Sequence, residues 1–427
     1  MSSPKKPTPP GQLPDAPVLV VPRAWLIALT ILIVAPWLIA GGLYFWPSGS
    51  STSQPQAVAD GPETPAAPGP WGTLEVSPIV ISPPIELISD QWARGPDSGK
   101  YWFFPDSGLP IVELFLSSTG LPRDQVSRLL AAARPEPRIK GIVIEPDPDL
   151  VRGLPPDVRA RIYVQLGKSP LNVDQMLTFR YFGETADAWL GPSLISAGTR
   201  KLVDPLTYRY GKHIYFADES LVRPRIADVE EQRRLDKALL RQSTVRVRLS
   251  IRNPSEVAGL AEYWGRGGRR TDIRPLLESI VGQSADRSLD IVHLLPSFAR
   301  ERLYRFPRPT AQDLSRDVLV NCLWTSLNFL NATPDDRYLD VNYSLARLKE
   351  DYTLVESHFE LGDIVGLVDE KGIMFHAVVY LADNLVFTKN GMSPMAPWVI
   401  LPLDVVVDYY RPRSEHPQLI YHRRKDF

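Results

Sequence analysis

Residues 24–46 read AWLIALTILIVAPWLIAGGLYFW and carry no charge over 23 positions. A helix of about 20 such residues crosses a bilayer core, so this stretch constrains the chain more than any other. Trp25 near one end and Tyr44 and Trp46 at the other suit the membrane interface, and Pro36 is tolerated in such helices. A cleaved signal peptide would have a shorter apolar run and a small-x-small site at its end, and neither is evident. Lys5, Lys6 and Arg23 precede the stretch, and the next basic residue is Arg94. The positive-inside rule then makes 1–23 a cytoplasmic tail and exports the rest. The expectation is a single-pass membrane protein with its bulk periplasmic or extracellular.

Residues 47–72 are rich in Pro, Ser, Gly and Ala and read as a linker. The remaining length divides into a middle domain, 73–305, and a C-terminal domain, 306–427. A net charge of −1 over 427 residues gives no electrostatic footprint for nucleic acid, so none is expected as a partner. One cysteine, Cys322, excludes an internal disulfide and a cysteine-based metal site. The six histidines show no ligand-like clustering, so neither metal nor cofactor is expected.

In the middle domain, Leu121–Arg134 predicts a helix with Pro122 near its start and Asp124 in the first turn. Val229–Gln242 predicts another, with Asp228 as N-cap. Alternation of Val245, Val247, Leu249 and Ile251 predicts a half-buried strand. Asp149–Tyr163 aligns without gaps on Asp290–Tyr304, matching Leu154-Pro155 with Leu295-Pro296, Arg159 with Arg300 and Tyr163 with Tyr304. This suggests a duplicated, Pro-initiated helical module, the alternative being chance similarity. The paired Arg and Tyr read as packing and surface groups. Tyr263–Arg270, YWGRGGRR, reads as a Gly-rich turn with solvated arginines, with backbone binding of an anion as the alternative.

From Pro307 the texture changes. Asn321 is a plausible N-cap, with Leu323, Leu327 and Leu330 on one helical face. Cys322 then lies in a first helical turn, where the macrodipole favours a thiolate. Three strands follow, Ile364–Val368, Ile373–Leu381 and Leu385–Lys389. His376 would project from the middle strand toward the helix as a base for Cys322. A turn centred on Asp383 sets Asn390 opposite His376, and one centred on Ala382 sets Thr388 there, so either could orient the imidazole. His358 reads as a surface or rim residue, and His213, His293, His416 and His422 show no partner pattern.

A cysteine opening a helix, then Gly362-Asp363-Ile364-Val365, then His376-Ala377-Val378-Val379-Tyr380-Leu381 resembles the NlpC-type cell-wall cysteine peptidases. The likeness covers about 310–410. It implies an α+β, papain-like C-terminal domain, with a helix on an antiparallel sheet. It also implies a Cys-His dyad with a third polar residue, and hydrolysis of amides in peptidoglycan stem peptides. The chain departs from the family at Asn321-Cys322-Leu323-Trp324, where Asp-Cys-Ser-Gly is usual, and at the third member, often His. Residues 73–305 resemble no known family and read as mixed but mainly helical. The expectation is a membrane-anchored cysteine hydrolase with Cys322, His376 and Asn390 or Thr388 at its centre, acting on peptidoglycan or another envelope substrate. The alternative is a non-catalytic envelope-binding or scaffold protein.

Overall fold

The computed structural model describes residues 66–426 apart from 86–87, 89–99, 192–193, 283–286 and 309–318, together with the backbone of 58–59 and 64–65. The apolar segment 24–46 lies outside the described residues. Within them no helix is long and apolar enough to cross a membrane.

The alternating segment is a strand, Gln242–Ser250, with Val245, Val247 and Leu249 buried. It pairs antiparallel with Thr73–Ile81 over nine residues, Gln242 opposite Ile81 and Ser250 opposite Thr73. Ser288–Asp290 pairs on its other side, and the short pieces at 58–59 and 64–65 flank Thr73–Ile81. A second sheet orders Trp102–Phe104, Gly141–Ile144 and Ala133–Glu136, and a third orders Phe179–Phe182, His213–Phe216 and Tyr208–Tyr210. Helix Pro156–Leu166 lays Ile162 and Tyr163 into the core of the second sheet. Helix Val229–Leu239 lays Leu235 and Leu239 into that of the third, and the Asp228 carboxylate accepts the Glu230 N–H at 3.0 Å.

The mainly helical middle domain is therefore corrected: among the described residues, three of the four sheets lie before residue 291. Their strands are mostly three or four residues long, too short for a period of two to declare itself. The expected helix over 121–134 is Arg123–Ala131, after which Ala133–Glu136 pairs with Gly141–Ile144. Pro135 forces Arg134 toward extended backbone, which ends the helical run. The aligned segments share a buried Leu before a Pro that caps a helix. After the Pro they diverge. Pro156–Leu166 buries Arg159 and Tyr163, whereas Ser297–Arg302 leaves Arg300 exposed and Tyr304 beyond its end at φ 62°.

The C-terminal sheet has six antiparallel strands: β1 (Tyr352–Val355), β2 (Ile364–Val368), β3 (Met374–Ala382), β4 (Leu385–Lys389), β5 (Trp398–Pro402) and β6 (Gln418–Arg424). Their order is β1-β6-β2-β3-β4-β5. Helices α1 (Cys322–Asn328) and α2 (Val341–Asp351) cover one face, where Leu323, Leu327 and Leu348 meet Ile364 and Ala377. Helix α3 (Leu403–Tyr409) covers the other with Ile79 and Ile81, against Val365, Val378 and Val386. Both faces of β3 are thus buried, each Val or Leu contributing about 1.5–3 kcal/mol. The edge at β5 is covered too: Tyr304 N–H donates to Trp398 O at 2.8 Å, and Thr244 Oγ1 donates to Ile400 O at 2.7 Å. The papain-like expectation, a helix packed on an antiparallel sheet, is corrected accordingly. Among the described residues the fold is mixed α/β with four sheets, and the C-terminal sheet is buried on both faces and joined at its edge to the middle region. Hydrophobic residues on both faces of a strand require cover on both sides.

Candidate active site

Asn321 turns extended backbone into α1, its side-chain carbonyl accepting the Trp324 N–H at 2.9 Å. Such a cap contributes about 1 kcal/mol. Cys322 is the first helical residue and is half-buried. Trp398 pins the helix to the sheet by donating its indole N–H to Thr325 Oγ1 at 3.0 Å.

Strand β3 passes beneath this helix. A bulge between the Leu367 and Val368 pairings takes Phe375 out of register. From His376 to Tyr380 the faces alternate regularly. Ala377 and Val379 face α1 and its core, while Val378 and Tyr380 face the α3 side. His376 follows Val378 and Tyr380. The expectation that it projects toward the Cys322 helix is corrected: its ring lies under Tyr410, centroids 4.3 Å apart at 32°. The bulge also brings Met374 to the α1 side, against Gly366.

The imidazole is held from β4. His376 Nε2 lies 3.1 Å from Thr388 Oγ1, and the Thr388 hydroxyl donates to Asn390 Oδ1 at 3.3 Å. With that proton committed, Thr388 accepts from His376, which fixes the Nε2–H tautomer and leaves the lone pair on Nδ1. Val379 pairs with Phe387 and Tyr380 with Val386. The same register sets Asn390 level with His376 and Thr388 on the same face two residues away, so both candidates belong to one chain of hydrogen bonds. His376 is 2% exposed, and burial pushes its pKa down to about 3, with Asn390 opposing.

Lys389 sits on the α1 side with Phe387, whose ring meets Phe329 at 5.6 Å. It is fully buried, and Nζ donates to Gly391 O at 2.7 Å and Ser393 O at 3.0 Å. Burial pushes its pKa down to about 7, and the negative charge available at Cys322 opposes the fall. Burial pushes the Cys322 thiol up, while the Ala377 and Leu323 N–H groups and Lys389 pull it back. Cys322 also raises the Tyr410 phenol, after burial and Tyr409. Thiol, imidazole, amine and phenol therefore gather where β3 and β4 part. Cys322 and His376 make no hydrogen bond with each other. Near neutral pH the thiol and the imidazole are both uncharged.

Lys389→Met should raise the Cys322 thiol pKa further, since a nearby cation favours the thiolate. Thiolate absorbance against pH checks this, and an unchanged midpoint would show that Lys389 is electrostatically irrelevant to Cys322. Sequence reading passed over Lys389 and Tyr410. A lysine ending an apolar strand gives no sign of burial, and Tyr410 is brought in from the turn after α3.

Gly362-Asp363 is a structural corner. Gly362 has φ 95°, where a Cβ would press on Leu330 at 2.7 Å. Asp363 accepts from Arg423 Nε at 2.9 Å and Nη2 at 2.7 Å, tying β6 to the start of β2. In the YWGRGGRR segment, Arg269 donates to the carbonyls of Leu294 and Trp264, and Arg266 pairs with Glu360. Those two guanidiniums have protein acceptors already. His358 is exposed beside Ser357, while His213, without a visible partner in sequence, is buried against Asp408. No group of three His, Cys, Asp or Glu able to hold a metal occurs among the described residues. No family model, no curated protein and no solved structure matches the chain.

Proposed function

We propose that this chain is an exported cysteine hydrolase, held at a membrane through residues 24–46, with Cys322 as nucleophile and His376 as its base. The observations that support the reading are the His376–Thr388–Asn390 hydrogen-bond chain at the end of β3 and β4 and Tyr410, which lies on the imidazole and feels the Cys322 thiol; at rest the ring faces away from α1 and must turn to reach the sulfur. In this mechanism His376 Nδ1 takes the thiol proton as sulfur attacks an amide carbonyl. It then returns the proton to the leaving amine. Thr388, backed by Asn390, keeps the ring in the required tautomer. Backbone N–H groups at the start of α1 donate to the oxyanion, and Lys389 lends positive charge to the thiolate. The likeness of Cys322, Gly362–Val365 and His376–Leu381 to NlpC-type enzymes supports amides of cell-wall peptides as substrate. Attachment near a membrane would bring the site close to the envelope.

The test is release of new amino groups from peptidoglycan stem peptides by the full chain in detergent. Activity should fall at least about 1,000-fold in Cys322→Ala, as for loss of a covalent nucleophile. Activity that survives this substitution rules out Cys322 as nucleophile. The near-complete burial of His376 favours a second reading, a non-catalytic envelope-binding protein, which would show no cleavage and an unreactive thiol. Membrane attachment predicts that the full chain stays in the membrane pellet after alkaline carbonate washing. A chain lacking 24–46 should be released, and release of both would end the anchoring proposal.

A further inference from the structure

We infer that Tyr409-Tyr410 is a strap, clamped by the middle region, that holds the Cys322–His376 site shut in the resting chain. The inference rests on the proposed hydrolase reading and assigns its regulation. The Tyr410 ring covers the His376 imidazole at 4.3 Å. Its neighbour Tyr409 is gripped by Arg180 of strand Phe179–Phe182. Arg180 Nη1 donates to the Tyr409 carbonyl at 2.7 Å, and the guanidinium lies 4.8 Å from the Tyr409 ring centroid. Arg180 also stands 5.4 Å from the Tyr215 ring of the same three-stranded sheet.

Asp408, one residue earlier, is the second hold. It is 2% exposed and accepts from the Lys212 N–H at 2.5 Å. His213 Nδ1 lies 2.9 Å from it, and Arg411 Nε donates to it at 2.8 Å. The turn carrying Lys212 is shaped for this carboxylate: Gly211 has φ 59°, and a Cβ there would collide with Asp408. The Lys212 ammonium pairs with Asp404 one turn back on α3. Apart from Arg411, all these holds come from the sheet formed by 179–182, 208–210 and 213–216, and none comes from α1. Phe375 of β3 also packs on the Tyr410 ring, centroids 5.8 Å apart, so the strap is held jointly by the three-stranded sheet and by β3.

With the strap in place the imidazole is dry, uncharged and unable to receive a proton from Cys322. Moving Tyr410 aside would admit water and substrate to the same face. What burial removes from the ring's basicity would then return. The middle region would accordingly act as the restraint, and a partner or ligand that draws Arg180 or Asp408 away would activate the site.

The test is the rate of iodoacetamide labelling of Cys322 at pH 7 in the full chain. Arg180→Ala and Asp408→Ala should each label at least about ten-fold faster than the parent, and the gain should vanish when His376→Ala is added. Tyr410→Leu keeps apolar cover without the stacked ring, and should accelerate labelling in the same His376-dependent way. Unchanged rates in all three variants, or acceleration that survives His376→Ala as simple unfolding would give, overturn the strap. Acceleration dependent on His376 without cleavage of any stem peptide leaves the strap standing and removes the hydrolase. Cleavage by the parent chain with no acceleration in the variants does the reverse.

Discussion

Lowering the pH from 6.5 to 3 should remove on the order of 5 kcal/mol of folding stability through His376 alone. The folded ring has a pKa of about 3 against an ordinary value of 6.5, chiefly because it is buried. Between these values the unfolded chain binds a proton that the folded chain refuses. Stability therefore rises with pH across this window, is fully present above 6.5, and is lost as the pH falls toward 3. Several carboxylates also titrate here, so the useful quantity is the difference from a His376→Gln variant. The glutamine cannot take up the proton. Its curve of unfolding free energy against pH should be flatter by up to one proton between pH 6.5 and 3, even if it starts lower at pH 7. Denaturant titrations at half-unit intervals measure this. Parallel curves for the two proteins would mean that His376 is hydrated and charged in the folded state, and both the buried imidazole and the strap would have to be abandoned.

Arg159→Met should cost about 3–5 kcal/mol, because it leaves a buried carboxylate without its cation. Arg159 is fully buried on the helix Pro156–Leu166. Its Nη1 pairs with Asp218, its Nη2 donates to Val151 O at 2.8 Å, and the Tyr163 hydroxyl donates to the same Asp218. Burial already pushes the Asp218 pKa up to about 6 with Arg159 in place, so its loss would drive the carboxyl to the neutral form. Adding Asp218→Leu should recover most of the loss, since removing both partners leaves no unpaired charge. The aligned residue Arg300 is exposed, and Arg300→Met should stay within about 0.5 kcal/mol of the parent. Chemical denaturation of the three proteins decides the matter. Equal effects at 159 and 300 would show that the two segments bear load alike, contrary to their different burial.

This pair of arginines shows how far sequence reading reaches. Asp149–Tyr163 and Asp290–Tyr304 match in Leu-Pro and in the following Arg and Tyr, and both do start a helix at the Pro. Whether an Arg on that helix is buried depends on what lies across from it. Asp218 is 59 residues from Arg159 in sequence, and no local pattern specifies that meeting.

The same division runs through the candidate site. Local chemistry sufficed for the Asn321 cap and for Cys322 at the head of α1, because capping involves only three or four neighbouring residues. It sufficed for the existence of strands β2, β3 and β4, which are apolar runs of five or more residues bounded by turns. The register of β3 on β4 stayed open between two turn centres in the sequence, and a bulge between the Tyr380 and Ala382 pairings is what sets Asn390 level with His376.

The direction of His376 did not follow. A one-residue bulge at Phe375 and apolar residues on both faces of β3 make the strand ambiguous in sequence, and only the packing of α1 on one side and α3 on the other assigns the faces. Lys389 reads as the polar end of a strand until Gly391 and Ser393 fold back to accept its protons. Tyr410, Asp408 and Arg180 come together across 229 residues. Sequence by itself determined the elements whose causes are local: caps, alternation, Pro-started helices and an uncharged span at 24–46. Tertiary structure alone decided which face each strand buries, which charges lose their water, and what covers the imidazole. Desolvation and long-range pairing depend on the whole surrounding volume, which no short window of residues contains.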